Sequence, residues 1–202
     1  MGKIDENKQM KREALLDTAF RLFTGKGIHK TSISDIVENA GVAKGTFYLY
    51  FKDKYDIRNK LIAHKASEVF RKADDALKQT DITGLEEKII FLIDHIINQF
   101  VEDKMLLSFI SKNLIWGALK NTLIGSGDND DEVDFYDIYH SVFCDDSEYE
   151  NPEVMVFMII ELVGSTCYSS ILYHEPVEIE ELKPYLFSAV RNIMATHRRR
   201  TE

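Results

Sequence analysis

The stretch IVENAGVAKGTFYLYFKDK, residues 36–54, decides the fold. Just upstream, Ile33 joins Ile36, Val37 and Ala40 in an apolar stripe at helical spacing, which runs into Gly41. A stripe of that period is a short helix, and a glycine directly after it is a common helix terminator. Ser32, with Asp35 three residues on, forms a variant capping box at the other end. Val42 can plug the gap before the next segment, which reads as a helix over residues 43–52. A short helix, a glycine turn and a second short helix make a helix-turn-helix candidate.

The second of these helices is unusual on its outer side. At ~100° per residue, Phe47 and Phe51 share one face with Ala43 close by, and this face packs inward. The opposite face carries Gly45, Tyr48 and Leu49, flanked by Lys44 and Thr46. A helix that merely meets water has no use for a glycine, a tyrosine and a leucine there. A major groove does: it admits a helix, and apolar side chains can touch the thymine methyl. Gly45 costs ~1 kcal/mol of helix stability against alanine, and its missing side chain lets the backbone come close to a partner. The competing reading of Tyr48 and Tyr50 is rim packing with hydroxyls in water.

Upstream, residues 8–24 repeat Leu15, Leu16, Ala19, Phe20, Leu22 and Phe23 at helical spacing, and Gly25 and Gly27 stop them. Downstream, Asp53 can cap a helix that begins near Lys54. A lysine in a first turn opposes the helix dipole. A phosphate at that point would satisfy both the lysine and the helix N-terminus; the competing reading is a plain surface lysine.

The run of residues 36–54, with Ala19-Phe20-Arg21-Leu22-Phe23, Gly27 and Thr31-Ser32 before it, resembles the DNA-binding signature of TetR-family transcriptional regulators. The likeness is close over residues 8–62; beyond that only helix number and length agree. It implies that Ser32 and Ser34 meet phosphate or a base edge. It implies further that Lys44, Gly45, Thr46, Tyr48, Leu49 and Tyr50 line the recognition surface, and that Lys54 holds a phosphate. Leu49 stands where family members vary. A hydrocarbon there cannot hydrogen-bond a base, so thymine-methyl or sugar contact is expected. The recognition helix has no arginine, which removes bidentate guanine readout from it; specificity then leans on Lys44, van der Waals contact and DNA shape.

Charge is divided in a way that suits this reading. The chain of 202 residues has a net charge of -9. Residues 1–65 hold 13 Lys and Arg against 8 Asp and Glu, a net of +5, and the remainder holds 12 against 26, a net of -14. Such a split fits a basic module for a polyanion beside an acidic body with another task. With 3 Pro and 10 Gly, few breakers interrupt the chain. Collagen-like, disordered and disulfide-scaffold classes are excluded. Cys144 and Cys167 lack metal-ligand spacing, and no metal or cofactor is expected. The polar first ten residues and the two cysteines fit a cytoplasmic protein.

The expected fold is all-α with about nine helices. Residues 1–53 form the three-helix DNA-binding domain, and residues 54–202 form a helical effector-binding and dimerisation bundle. Residues 54–79, 85–103 and 105–119 read as helices, 121–131 as a loop and 135–143 as an aromatic-rich helix. The acids at 128–134 lack the glycine and the terminal acid of a calcium loop. Residues 152–173 are apolar enough to ask about a membrane, yet Glu161 and several hydroxyls favour a bundle helix and no membrane partner. With residues 177–197, this helix would form the four-helix dimer interface that the resemblance implies, through Phe157, Met158, Leu162, Leu182, Leu186 and Val190. The candidate effector pocket is Phe91, His95, Phe109, Trp116, Tyr136, Tyr139, Phe143 and Tyr168.

The functional expectation is a homodimeric repressor that leaves a palindromic double-stranded DNA operator when a small molecule binds. The alternative is a protein-binding adaptor that keeps the helix-turn-helix without operator binding. An enzyme is not expected: the sequence has no nucleophile elbow, P-loop, dinucleotide fingerprint or zinc motif.

Overall fold

The computed structural model describes residues 3–113 and 148–199. Eight helices are present among the described residues: α1 (Lys3–Gly25), α2 (Ile33–Ala40), α3 (Lys44–Tyr50), α4 (Lys54–Leu77), α5 (Leu85–Glu102), α6 (Lys104–Asn113), α7 (Pro152–Tyr173) and α8 (Ile179–His197). The only strand-like feature among them is an isolated bridge, Tyr149 to Arg198. The fold is all-α, with an N-terminal helix-turn-helix and a C-terminal helical bundle. Trp116, Tyr136, Tyr139, Phe143 and Cys144 lie outside the described residues, as do the segments 121–131 and 135–143.

The chain divides into two compact units, Met1–His64 and Lys65–Glu202. Their boundary falls inside α4, whereas the sequence reading places it at 53/54, where α4 begins. Helix α1 starts at Lys3, five residues before the expected start. No breaker stands between Lys3 and Gly25, so the helix runs past its apolar stripe. Helix α3 is shorter than expected, because Phe51 already has extended backbone.

In the first unit the core is Leu15, Leu16, Ala19, Phe23, Ile36, Val37, Phe47, Phe51, Ile57 and Leu61, all buried. Helix α2 packs on α1 and α3 on α2. The second unit has its own core, centred on Ile93, Ile97, Leu107, Met155, Ile159, Leu186, Val190 and Met194. There α7 packs on α8, α6 and α5. Helix α7 is long and apolar enough to cross a membrane by length and composition alone. Cys167, buried on α7, has its thiol pushed up to about 12 by burial, so it stays protonated and unreactive. The tail after α8 is tied down: Arg198 pairs with Glu148 at 3.0 Å and lies 5.9 Å from the Tyr149 ring centroid.

Candidate nucleic-acid interface

The turn before α2 is built by side chains acting on backbone. Ser32 is the N-cap: its hydroxyl accepts from Asp35 N at 3.1 Å, and the Asp35 carboxylate accepts from Ser32 N at 2.8 Å. The box expected from sequence is therefore formed, with aspartate in the usual glutamate position. Lys26 adds an ion pair to the same carboxylate at 2.8 Å. The Lys26 ammonium, then the Ser32 amide and hydroxyl, hold the Asp35 carboxyl down at about 2. At the far end Gly41 takes φ 68°, the left-handed region. Its N–H and that of Val42 reach back to Glu38 O at 3.3 Å and Val37 O at 3.0 Å, the paired bonds of a Schellman ending.

This stop sets where α3 begins and which way it faces. Phe47 is fully buried and Phe51 nearly so. Their rings lie 5.5 Å apart, which fixes the inner face. On the outer face Tyr48 is 54% exposed and Leu49 77% exposed. Lys44 and Gly45 are exposed, and Thr46 is half-buried. An added Cβ at Gly45 would meet nothing within 4 Å. Ser32 and Ser34 are exposed on the adjoining end of α2. The structure thus brings Ser32, Ser34, Lys44, Gly45, Thr46, Tyr48 and Leu49 to the surface of one compact unit.

Tyr50 and Lys54 behave differently. The Tyr50 hydroxyl donates to Lys8 O at 3.1 Å, tying the last residue of α3 to α1. Lys60 donates to Tyr50 O at 3.1 Å, a cation at a helix C-terminus. The Lys54 ammonium donates to Ile28 O at 3.1 Å, His29 O at 3.4 Å and Thr31 O at 3.3 Å. An ammonium has three donors, so all of them have acceptors in the turn between α1 and α2. Thr31, itself buried, closes that turn by donating to Gly27 O at 2.9 Å. Asp53 caps α4 as expected, accepting from Tyr55 N at 2.7 Å and Asp56 N at 2.9 Å. Sequence spacing offered no signal for the Lys54 contacts, which join residues 23 to 26 apart.

This arrangement is a reading helix whose three anchors all lie away from its exposed face. The model of the bacterial regulatory proteins of the tetR family matches residues 15–61. By this segment the chain belongs to the tetR family. The fatty acid metabolism regulator protein of Bacillus subtilis is 34% identical over 88 residues, which is 44% of each chain. The first three curated relatives are covered over 44%, 33% and 26% of their lengths, so this chain matches less than half of each. Among solved structures, FadR of B. subtilis in complex with stearoyl-CoA aligns with TM-score 0.62 at 20% identity. That alignment covers 88% of this chain and 96% of the other. The fatty acid degradation regulator FadR of Bacillus halodurans aligns with TM-score 0.62 at 19% identity, over 89% of this chain and 94% of the other. Both likenesses are of fold.

In the second unit the sequence-derived candidates divide by burial. Phe109 is buried in the core, and Phe91, His95 and Tyr168 are half-buried. Phe91 and His95 stack on α5 with centroids 6.1 Å apart. On α7 and α8, Met158 is 42% exposed, and Phe157, Leu162 and Leu182 are half-buried. Leu186 and Val190 are buried within the chain's own core. No group of three or more metal-ligating side chains occurs among the described residues.

Proposed function

We propose that this chain is a DNA-binding transcriptional regulator, a cytoplasmic homodimer that leaves its operator when a small molecule binds. The observation that carries the reading is the two-sidedness of α3. Phe47 and Phe51 are buried on one side, while Gly45, Tyr48 and Leu49 stand open on the other. In this reading α3 enters a major groove, Tyr48 and Leu49 give apolar contact to bases, and Lys44 and Thr46 meet base edges or phosphate. Ser32 and Ser34 hold the backbone alongside. Tyr50 and Lys54 belong to the same interface but act first on α1 and on the turn before α2. A phosphate at Lys54 would have to draw the ammonium from its three carbonyls.

Two recognition helices read adjacent major grooves only when ~34–36 Å apart. A pairing surface from Phe157, Met158, Leu162 and Leu182, backed by the buried Leu186 and Val190, would set that distance. The effector would lie among Phe91, His95, Phe109 and Tyr168 with Trp116, Tyr136, Tyr139 and Phe143. Full release of a tight repressor requires the effector to favour the wrong spacing by about 5.5 kcal/mol. The -14 charge of residues 66–202 favours a neutral or cationic apolar effector over an anionic one such as the stearoyl-CoA of B. subtilis FadR. The curated relatives are named as regulators, and an enzymatic role has no observation behind it.

Selection of bound fragments from random duplex DNA, followed by gel retardation of the enriched sequence, tests the reading. The expected result is one enriched palindrome that is retarded at low salt. Absence of any retarded fragment at low salt would establish the adaptor instead.

A further inference from the structure

Helix α1 extends beyond the core it serves, and its charges are sorted by face. Leu15, Leu16, Ala19 and Phe23 form its buried stripe. At ~100° per residue, Lys8 and Arg12 continue that stripe toward the N-terminus, with Lys11 on its margin one turn from Leu15. Glu6, Glu13 and Asp17 fall on the opposite face. A stripe that ends its apolar run in three cations, with the acids turned away, presents positive charge where the core stops.

The structure also says what lies beside these cations. The Tyr50 hydroxyl bonds Lys8 O at 3.1 Å, so this part of α1 abuts the last residue of the recognition helix. Lys8 and Lys11 are exposed and Arg12 is half-buried. None of the three has an ion pair among the described residues. They also precede the residues 15–61 matched by the family model.

We propose that Lys8, Lys11 and Arg12 are a second phosphate-binding strip, which grips the DNA backbone beside the groove that α3 enters. The proposal rests on the reading of α3 as a DNA-binding helix. It makes the strip a source of affinity without sequence preference, because phosphate contacts position and base contacts specify.

The test is the salt dependence of binding to the selected operator, measured by fluorescence anisotropy on the full chain. Each lost phosphate contact lowers the slope of log K against log salt by ~0.9. Replacing all three residues with glutamine should therefore lower the slope by roughly 2–3 units and leave the selected sequence and the melting temperature unchanged. If the half-buried Arg12 proves necessary for folding, the Lys8→Gln/Lys11→Gln pair should lower the slope by about 2 units. Glu6→Gln/Glu13→Gln, on the opposite face, should leave the slope as it is. A glutamine variant that binds with the wild-type slope would overturn the strip while leaving the DNA-binding reading intact. An equal and opposite change from the glutamate pair would reduce the effect to net charge and overturn it too. Failure of the wild-type chain to bind any duplex would instead be failure of the underlying reading.

Discussion

Replacing Gly45 with alanine should move stability and DNA affinity in opposite directions. The residue lies in the first turn of α3, and an added Cβ meets nothing within 4 Å. The new methyl therefore clashes with nothing in the free protein. Alanine loses less conformational freedom than glycine on entering a helix, a gain of about 0.5–1 kcal/mol. For a unit of this size each kcal/mol moves the melting temperature by about 4–8 °C, so a rise of roughly 2–8 °C is expected. In the complex the same methyl occupies space that α3 leaves open to the groove. Overpacking by one methyl group in a close interface costs about 1–3 kcal/mol, which is a loss of roughly five- to 150-fold in affinity. Differential scanning fluorimetry and anisotropy titration on the same preparation measure both quantities. A variant that melts higher and binds DNA as tightly as the wild type would refute the close approach at Gly45. Loss of both stability and affinity would place the open face of α3 against the protein.

The neighbouring aromatics should separate in the same two assays. Phe47→Ala empties a fully buried site and should cost about 3–5 kcal/mol of stability. Tyr48→Ala should change stability by under ~1 kcal/mol and weaken operator binding about tenfold, since roughly half its side chain is free to be covered; a melting-temperature loss equal to that of Phe47→Ala would make Tyr48 a core residue. Lys54→Met removes three bonds to the turn before α2, and it should weaken binding while leaving the salt slope unchanged. A slope lower by ~0.9 would make it a phosphate ligand instead. Asp35 is held below its ordinary value of 3.8, at about 2, so its capping contribution is complete above pH 3.8 and lost as pH falls through 2. Asp35→Asn should accordingly be less stable than wild type at pH 6 and converge with it near pH 2 by circular dichroism.

Much of the first unit is written in local sequence. The serine–aspartate box, the glycine stop and the Phe47–Phe51 pair each depend on residues within five positions of one another, and the structure forms all three. The exposure of Tyr48 and Leu49 follows from the helical period alone. The second unit is less legible. Leu182, Leu186 and Val190 lie on one apolar stripe, yet Leu186 and Val190 are buried in the chain's own core while Leu182 is only half-covered. Periodicity shows that a face is apolar; it does not show whether the same chain or a second one covers it. Lys183 makes the same point with charge. It sits within this apolar helix, nearly buried, and reaches Asp94 at 3.0 Å, Glu180 at 2.9 Å and Asn98 at 2.8 Å. Two of those three acceptors come from α5, which lies more than eighty residues away in sequence.

The cations of the first unit carry that limit into function. Local sequence marks Lys54 as the charge most in want of an anion, because a lysine in a first helical turn opposes the dipole. The fold answers that want with three carbonyls of the turn between α1 and α2. Lys8, Lys11 and Arg12 look in sequence like a solvated helix end, and the fold sets them beside α3 through a bond spanning 42 residues. What a lysine does is decided by the acceptors that tertiary structure brings within ~3 Å of it. The net charge of +5 over residues 1–65 is therefore a poor guide to which cations meet DNA. Salt slopes measured residue by residue distinguish cations that the fold has already paired from those it leaves free for phosphate.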